Sequence, residues 1–424
     1  MTMFDRLGLG VLTLIVAGVH LSCFDARPSN PLDQGVSLLL IPTVQHPVGG
    51  EQLFPGTLMD IRWLPAAGGI DSTVTLQLIS DVDTTLIATS VVNLGSYSWS
   101  IPNRPGLSYR VRISGKGGAS ESPGPFRIKP TPVLQRLNIG SRDGRSPAAL
   151  YHLVVFESSS NLWLLDRIKQ SVSQITSNAR GAYGASWLKP RGKIFAYNAV
   201  NTLNTGSDIW IHVIEGLYEG DYQITQDGGV LPTWQISDAF VNPSLAYLKV
   251  TSLPESGILK QILAVTLDTP GIALPSIQTP LRLQGPPVEI ARSSEFGLNF
   301  KSLAWTYTND RNELLYVTNN GQSRVSRLTF PAQNFDDISV GAFALSPDVS
   351  PDEISYSPNG RYIAFGSKGQ IWVSSVNGLG ATPVTHGSTT DTAPDWATDQ
   401  EIVFQRQNAG RAWELWSVFL GDPP

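Results

Sequence analysis

A short apolar segment that recurs six times between residues 130 and 424 constrains the fold more than any other feature. Its copies are HLVVF (152–156), KIFAY (193–197), SLAY (244–247), LLYV (314–317), YIAF (362–365) and EIVF (401–404). Each is followed by a second apolar element, at Leu162-Trp163, Ile209-Trp210, Ile262-Leu263, Val325, Ile371-Trp372 and Leu415-Trp416. An aromatic residue precedes most copies, at Trp187, Trp234, Trp305, Tyr356 and Trp396. The repeat length is about 49 residues, which matches a four-stranded sheet and predicts six such sheets in a closed ring.

One copy, YSPNGRYIAF at residues 356–365, resembles the W-S-P-D-G-x-x-I-A-F repeat of TolB-type propellers, and WLKPRGKIF (187–195) is a looser version. The resemblance implies a six-bladed TolB-like β-propeller over residues 130–424. Pro-Asn-Gly should form the turn between two inner strands, with Gly360 at positive φ and the aromatic residue packed between blades. A Pro-rich stretch, Thr269 to Pro287, is expected to project as a loop between the third and fourth repeats. The family includes scaffolds, envelope subunits and non-catalytic halves of peptidases, so the resemblance implies no single activity.

Residues 37–129 alternate apolar and polar side chains, which predicts half-buried strands. Seven strands are expected, over or near 38–41, 61–63, 74–78, 87–92, 97–101, 109–113 and 126–128. Seven short strands in such a span favour a β-sandwich, with Trp63 and Trp99 in its core. The order I-x-W, V-x-L-x-L, GSYSWSIP, YRVRI and FRI resembles the Ig-like domain of yeast cell-wall synthesis and Ser-Thr-rich GPI-anchored proteins. That resemblance implies an extracytoplasmic adhesion or spacer module.

The apolar run LGLGVLTLIVAGVHL (7–21) follows Arg6 and precedes the only cysteine, Cys23. This layout predicts a signal peptide or membrane anchor over residues 1–24, with a linker over 25–36. Leu21-Ser22-Cys23 resembles the bacterial lipobox, which implies a lipid on Cys23. Three interpretations remain open: a cleaved lipoprotein signal, an uncleaved single-span anchor and an ordinary cleaved signal. All three place the remaining chain in the bacterial periplasm or at the cell surface.

The residues with chemical potential form no reactive set. With 41% apolar and 15% charged residues the chain should be globular, and its net charge of −5 argues against nucleic-acid binding. No two of the five histidines have the spacing of metal ligands, and there is no G-x-S-x-G motif. His152 and His212, in different repeats, are interpreted as structural. We therefore expect neither an enzyme, nor a cofactor, nor a metal site; lipidation of Cys23 is the one predicted chemical role.

These features favour a non-catalytic, membrane-tethered scaffold or protein-binding module of the cell envelope. A sharper version is a structural accessory subunit of a respiratory, photosynthetic or export complex, with other membrane or envelope subunits as partners. Two alternatives stay open. One is a carbohydrate-active or peptide-hydrolysing propeller enzyme, which needs buried carboxylates or a Ser/His pair at the funnel mouth. The other is a protein that binds cell-wall glycan through residues 37–129.

Overall fold

The computed structural model is all-β, and no helix occurs among the residues that it describes. The described residues are 41–421, except 67–70, 178–180, 191, 202–205, 216–218, 237–241, 254–256, 269–281, 294–298, 309–310, 320–322, 332–338, 344 and 346–348. None of these residues belongs to a helix of the length and apolarity that crossing a bilayer requires. Residues 1–24, including the predicted lipidation residue Cys23, and the linker to residue 36 lie outside the described residues.

Two sheets form the N-terminal part. Their strands are β1 Thr43–His46, β2 Gln52–Leu53, β3 Leu58–Leu64, β4 Thr73–Ser80, β5 Thr84–Val92, β6 Ser96–Ser100, β7 Gly106–Gly115, β8 Gly118–Glu121 and β9 Phe126–Ile128. One sheet has the order β1-β3-β6 and the other β2-β9-β7-β4-β5, with β8 beside β7. Alternate residues of both sheets, such as Ile61, Leu76 and Val111, form one buried cluster between them. The arrangement is a two-sheet sandwich.

Most of the predicted sandwich strands are present. Trp63 and Trp99 are both buried in the cluster between the sheets, as expected. Of the predicted first strand, 38–41, only Ile41 is described, and the first described strand is Thr43–His46 instead. The short strands β2 and β8 were missed, because two to four residues carry too little alternation to be recognised.

The rest of the described chain forms strands β10 to β34. They are β10 Val133–Arg136, β11 Arg145–Leu150, β12 Leu153–Ser158, β13 Asn161–Asp166, β14 Ser171–Gln174, β15 Ala182–Trp187, β16 Ile194–Val200, β17 Ser207–Val213, β18 Gly220–Gln223, β19 Val230–Ile236, β20 Ser244–Leu253, β21 Gly257–Asp268, β22 Arg282–Leu283, β23 Val288–Ser293, β24 Asn299–Thr308, β25 Arg311–Asn319, β26 Ser323–Pro331, β27 Ser339–Ala342, β28 Ile354–Tyr356, β29 Tyr362–Ser367, β30 Gln370–Ser375, β31 Thr382–Pro383, β32 Thr390–Thr398, β33 Glu401–Gln407 and β34 Glu414–Phe419.

These strands form six antiparallel blades that begin at β11, β15, β19, β24, β28 and β32. The first strand of each blade contacts the first strand of the next, and β32 contacts β11, so the ring is closed. Strand β10 completes the sixth blade by pairing with β34, from Val133 opposite Phe419 to Arg136 opposite Trp416. Blades 3 and 4 also share a short parallel pairing between β19 and β24. This is the architecture of a β-propeller.

The repeated sequence elements have repeated structural positions. The six apolar segments are the second strands of the blades, and the elements that follow them are the third strands. The aromatic residue lies in the last part of the first strand and packs between blades: Trp187, Trp234 and Trp396 donate through Nε1 to carbonyls of the preceding blade. Gly360, in the turn between β28 and β29, has φ 66°, as expected.

The Pro-rich stretch differs from the prediction. Residues 269–281, most of the predicted loop, lie outside the described residues. Strand β23, which follows the stretch, pairs with β21 and completes blade 3. The insertion therefore lies within blade 3 rather than between the third and fourth repeats. The sequence prediction was wrong because β23 has no counterpart motif in the other repeats.

The sandwich is joined to the ring by the side chain of Phe54. Its neighbour Leu53 faces the sandwich core, whereas Phe54, 1% exposed, packs among apolar residues of blades 5 and 6. Opposite directions for adjacent residues follow from the alternation of an extended chain. Beside it, Gly380 has φ 66° and lies so close to Glu51 that a Cβ would stand 2.9 Å from its Cα. Only glycine combines that conformation with that approach.

Candidate functional site

The first strands of all six blades surround a cavity of about 240 Å³ on the axis of the ring. Its walls carry the hydroxyls of Ser146, Ser186, Thr233, Ser302 and Ser355 and the charged groups of Lys189, Lys301, Glu353 and Asp395. We call this space the central channel. Its lining combines these polar groups with apolar residues, and the blades around it are held together by apolar clusters. Polar groups converging on a concave site are the usual starting point for a functional hypothesis.

Asp395 links four blades at the channel. Its Oδ1 accepts hydrogen bonds from Lys189 Nζ of blade 2 at 2.7 Å and from Ser355 Oγ of blade 5 at 2.6 Å. Its Oδ2 accepts from the backbone N–H of Ala149 in blade 1 at 2.7 Å. Lys189 Nζ also donates to the Trp396 carbonyl at 2.6 Å. The lysine side chain is 4% exposed, so the ion pair is enclosed by protein.

Bulges in three first strands turn backbone N–H groups toward side chains of the preceding blade. The strands are β11, β15 and β32, and the bulged residues Ser146, Gly184 and Ala393 have φ 44°, 64° and 51°. Their acceptors are Gln405 Oε1 at 2.7 Å, Glu157 Oε1 at 2.7 Å and Glu353 Oε2 at 2.8 Å, respectively. Each bond ties one blade to the next where an apolar side chain could not satisfy the displaced N–H.

Two of these acceptors are partly buried carboxyl groups. Burial raises the pKa of Glu353, and the hydrogen bond from Ala393 opposes part of that effect. Burial likewise raises the pKa of Glu157, against the hydrogen bond from Gly184. Both carboxyls thus bind a proton more readily in the folded protein than in the unfolded chain.

Replacement of Glu353 by glutamine should change how stability depends on pH. The wild-type carboxyl favours the folded state below its unfolded pKa, near 4.5, and this contribution is lost as the pH rises through the higher folded pKa. The glutamine side chain keeps an acceptor for the Ala393 N–H but has no proton to lose. Urea unfolding between pH 4.5 and 7.5 should therefore show Glu353→Gln gaining stability relative to wild type as the pH rises.

Glu289→Gln is the control of opposite sign. Arg292 lowers the pKa of Glu289 through a side-chain hydrogen bond, so its carboxylate stabilises the fold above the unfolded pKa. This variant should lose relative stability as the pH rises from about 3 to about 5, where the unfolded carboxyl still binds a proton, and its curve should run nearly parallel to wild type above that range. If the free energy of unfolding of Glu353→Gln and of wild type depended on pH in the same way, Glu353 would not be the source of the pH dependence.

The residues that the sequence singled out lie away from the channel. His152 is in the exposed turn after β11, and His212 is buried in β17 with Nδ1 2.9 Å from Asp221 Oδ1. No group of three potential metal ligands occurs within the described residues. The third-strand tryptophans, Trp163, Trp210, Trp372 and Trp416, are half-buried. Trp163 and Trp372 donate through Nε1 to the carbonyl five residues earlier.

Sequence reasoning missed the channel residues Lys189, Glu353 and Asp395. A signal for Asp395 exists in the repeats. The residue before the first-strand aromatic is Ser186, Thr233, Ala304 or Ser355 in four blades, and an aspartate in the sixth. A charge at a position that is otherwise small and uncharged marks a special site. Nothing comparable points to Lys189, because its partner is 206 residues away.

Comparison with known proteins shows similarity to solved structures alone. No family model and no curated protein matches the chain. A Bacteroides thetaiotaomicron protein of unknown function is 9% identical, with 89% of this chain and 98% of that one covered and a TM-score of 0.48. A Vibrio parahaemolyticus oligogalacturonate lyase is 11% identical; 68% of this chain and 94% of that one are covered, with a TM-score of 0.40. A quinoprotein alcohol dehydrogenase-like protein from Bacteroides thetaiotaomicron is 10% identical; 86% of this chain and 90% of that one are covered, with a TM-score of 0.30.

Proposed function

We propose that this chain is a non-catalytic scaffold of the bacterial cell envelope that binds other proteins. In this proposal an Ig-like sandwich and a TolB-type propeller form one rigid body. Residues 1–24 tether it to a membrane, through a lipid on Cys23 or through an uncleaved apolar segment. The partners are subunits of a membrane or envelope complex.

The observation that supports the proposal is that the polar groups of the channel form hydrogen bonds with other parts of the protein. Lys189 and Ser355 both donate hydrogen bonds to Asp395 across blades, and Glu353 accepts one from the backbone of the next blade. A nucleophile or general base has to be directed at a substrate, whereas these groups are directed at the protein itself. Such bonds favour a rigid ring over a reaction centre.

A side of the sandwich with few charged residues offers a surface for a partner. No charged residue occurs between Asp83 and Arg104, a span that includes β5 and β6, the edge strands of the two sheets. Four apolar side chains in or beside β5 are 57% to 91% exposed: Val82, Leu86, Val92 and Leu94. Exposed apolar groups concentrated in this way are typical of protein interfaces. A partner face of matching apolar character would remove them from water.

Affinity purification of the full chain from native membranes in mild detergent tests the proposal. We expect a membrane subunit to co-purify, and Leu86→Lys with Leu94→Lys to reduce its recovery at least tenfold, since a charge would be buried at the contact. Leu64→Lys is the matched control, because Leu64 is also exposed but lies on β3. The intact mass, beginning at Met1 or at an acylated Cys23, identifies the tether. Recovery as a free monomer would contradict the proposal.

A further inference from the structure

A second cavity, of about 510 Å³, lies between blades 1 and 2 at the end of the ring opposite the Pro-Asn-Gly turn. We call it the blade 1–2 cleft. Its volume falls within the range of about 300–1,000 Å³ typical of small-molecule sites. Its lining is partly apolar and partly polar, and the polar part comprises the turn Ser158 to Ser160, the phenol of Tyr183 and the charged groups of Asp143, Arg145 and Glu157. The channel network described above does not include the serines of this turn.

The turn between β12 and β13 holds two serines in a strained conformation. Ser159 and Ser160 have φ 52° and 61°, so both occupy the left-handed region that favours glycine. The equivalent turn of blade 5 consists of Lys368 and Gly369, with φ 53° and 74°, and thus has glycine at the second position. Strain of this kind persists at sites where the side chain has a use, so the serines call for an explanation beyond turn formation.

The hydroxyl groups of this turn are uncommitted. Within the part of the chain that the structure describes, the side chains of Ser158, Ser159 and Ser160 make no hydrogen bond, although their backbone carbonyls do. The Ser158 carbonyl accepts from Trp163 Nε1 at 3.2 Å, and the Ser160 carbonyl accepts from the Ala182 N–H at 2.9 Å. By contrast, the Ser355 hydroxyl in the channel is held by Asp395. Three free hydroxyls on one wall supply both donors and acceptors.

The other walls add an anchored carboxyl group and a guanidinium group. Glu157, the residue before this turn, is anchored through Oε1 to the Gly184 N–H. Arg145 is held by Asp143 and keeps 54% of its side chain exposed. Val200 and Ala182 contribute to the apolar part of the lining. A ligand that matches this lining carries several hydroxyl groups, each able to donate and to accept, together with an apolar face.

We propose that the blade 1–2 cleft binds a saccharide, with the serine hydroxyls and the anchored carboxylate and guanidinium groups hydrogen-bonding to its hydroxyls. Its volume suits one or two sugar units. This site is independent of the protein-binding function proposed above, because it lies on the propeller and uses none of the β5 residues.

Calorimetric titration of the full chain with chitotriose, cellotriose and trigalacturonate tests the inference. We expect at least one probe to bind. The double variant Ser159→Gly/Ser160→Gly should weaken that binding at least tenfold without lowering the melting temperature, because glycine adopts the turn conformation without strain. Retained stability separates loss of the hydroxyls from loss of the fold.

Lys368→Gly is the matched control, since it builds the same Gly-Gly turn in blade 5, and it should leave the affinity unchanged. Three results would overturn the proposal: no binding of any probe at millimolar concentration, unaltered binding by the double variant, or equal weakening by the control. None of these results changes which proteins co-purify from membranes, so either proposal can be wrong while the other holds.

Discussion

Phe54→Ala is expected to lower the free energy of unfolding by about 3–5 kcal/mol, the usual cost of removing a buried aromatic side chain from a packed core. Phe54 is 1% exposed and lies among the apolar residues of blades 5 and 6. The cavity left behind would lie in the apolar cluster that includes Trp396, Phe404 and Ile371, whose strands are packed on both sides and resist collapse into it. Urea unfolding monitored by tryptophan fluorescence measures the loss.

Phe54→Ala should also free the sandwich from the ring, because this side chain is the apolar link between them. Limited proteolysis should then cut the segment between β9 and β10 faster than in wild type. Leu58→Ala is the control: Leu58 begins the next strand but is 70% exposed, so its loss should change stability by less than about 0.5 kcal/mol. Equal stability of the two variants would show that Phe54 does not join the two parts.

Asp395→Ala should cost about 3–5 kcal/mol, because it leaves a buried ammonium group without its counter-ion. The Lys189 side chain is 4% exposed, and the Trp396 carbonyl would be its one remaining acceptor among the contacts described above. The Ser355 hydroxyl and the Ala149 N–H would lose their acceptor as well. Since Asp395 ties four blades, the loss should appear in the unfolding of the whole ring, measured by urea titration.

A double-mutant cycle separates the ion pair from the rest of this network. Lys189→Met in the Asp395→Ala background should restore part of the lost stability, since it removes the unpaired charge. Glu215→Ala provides the comparison within blade 2. Glu215 pairs with Lys193 at 2.6 Å, but their side chains are 59% and 55% exposed, so we expect a loss of less than about 1 kcal/mol. A similar small loss for Asp395→Ala would contradict the enclosed-pair interpretation.

The propeller could be predicted from the repeats because every blade packs its strands with the same local sequence pattern. Alternating apolar residues form the second and third strands, and an aromatic residue closes the gap to the next blade, so position along the repeat determines position in the ring. The prediction failed where the repeat is interrupted. Strand β23 follows the Pro-rich insertion and has no recognisable motif, and β10, which closes the ring, lies before the first repeat.

The candidate sites were not predictable in the same way. The Lys189–Asp395 pair, the Phe54 contact and the bonds from Gln405 and Glu157 join residues that are distant in sequence, and no local pattern records such pairings. The turn serines, in contrast, are visible in the sequence as SSS but gain meaning only from their φ angles and the cavity beside them.

The sequence by itself determined the all-β class, the positions of most sandwich strands and of the second and third strands of the blades, the six-fold repeat and the aromatic residues between blades, because these follow from local periodicity and side-chain volume. Tertiary structure alone decided which polar groups meet in the channel, how the sandwich is fixed to the ring and which hydroxyls stay uncommitted. Closing a ring brings the first strands of all six blades together, so their contacts depend on the closure and not on any one segment.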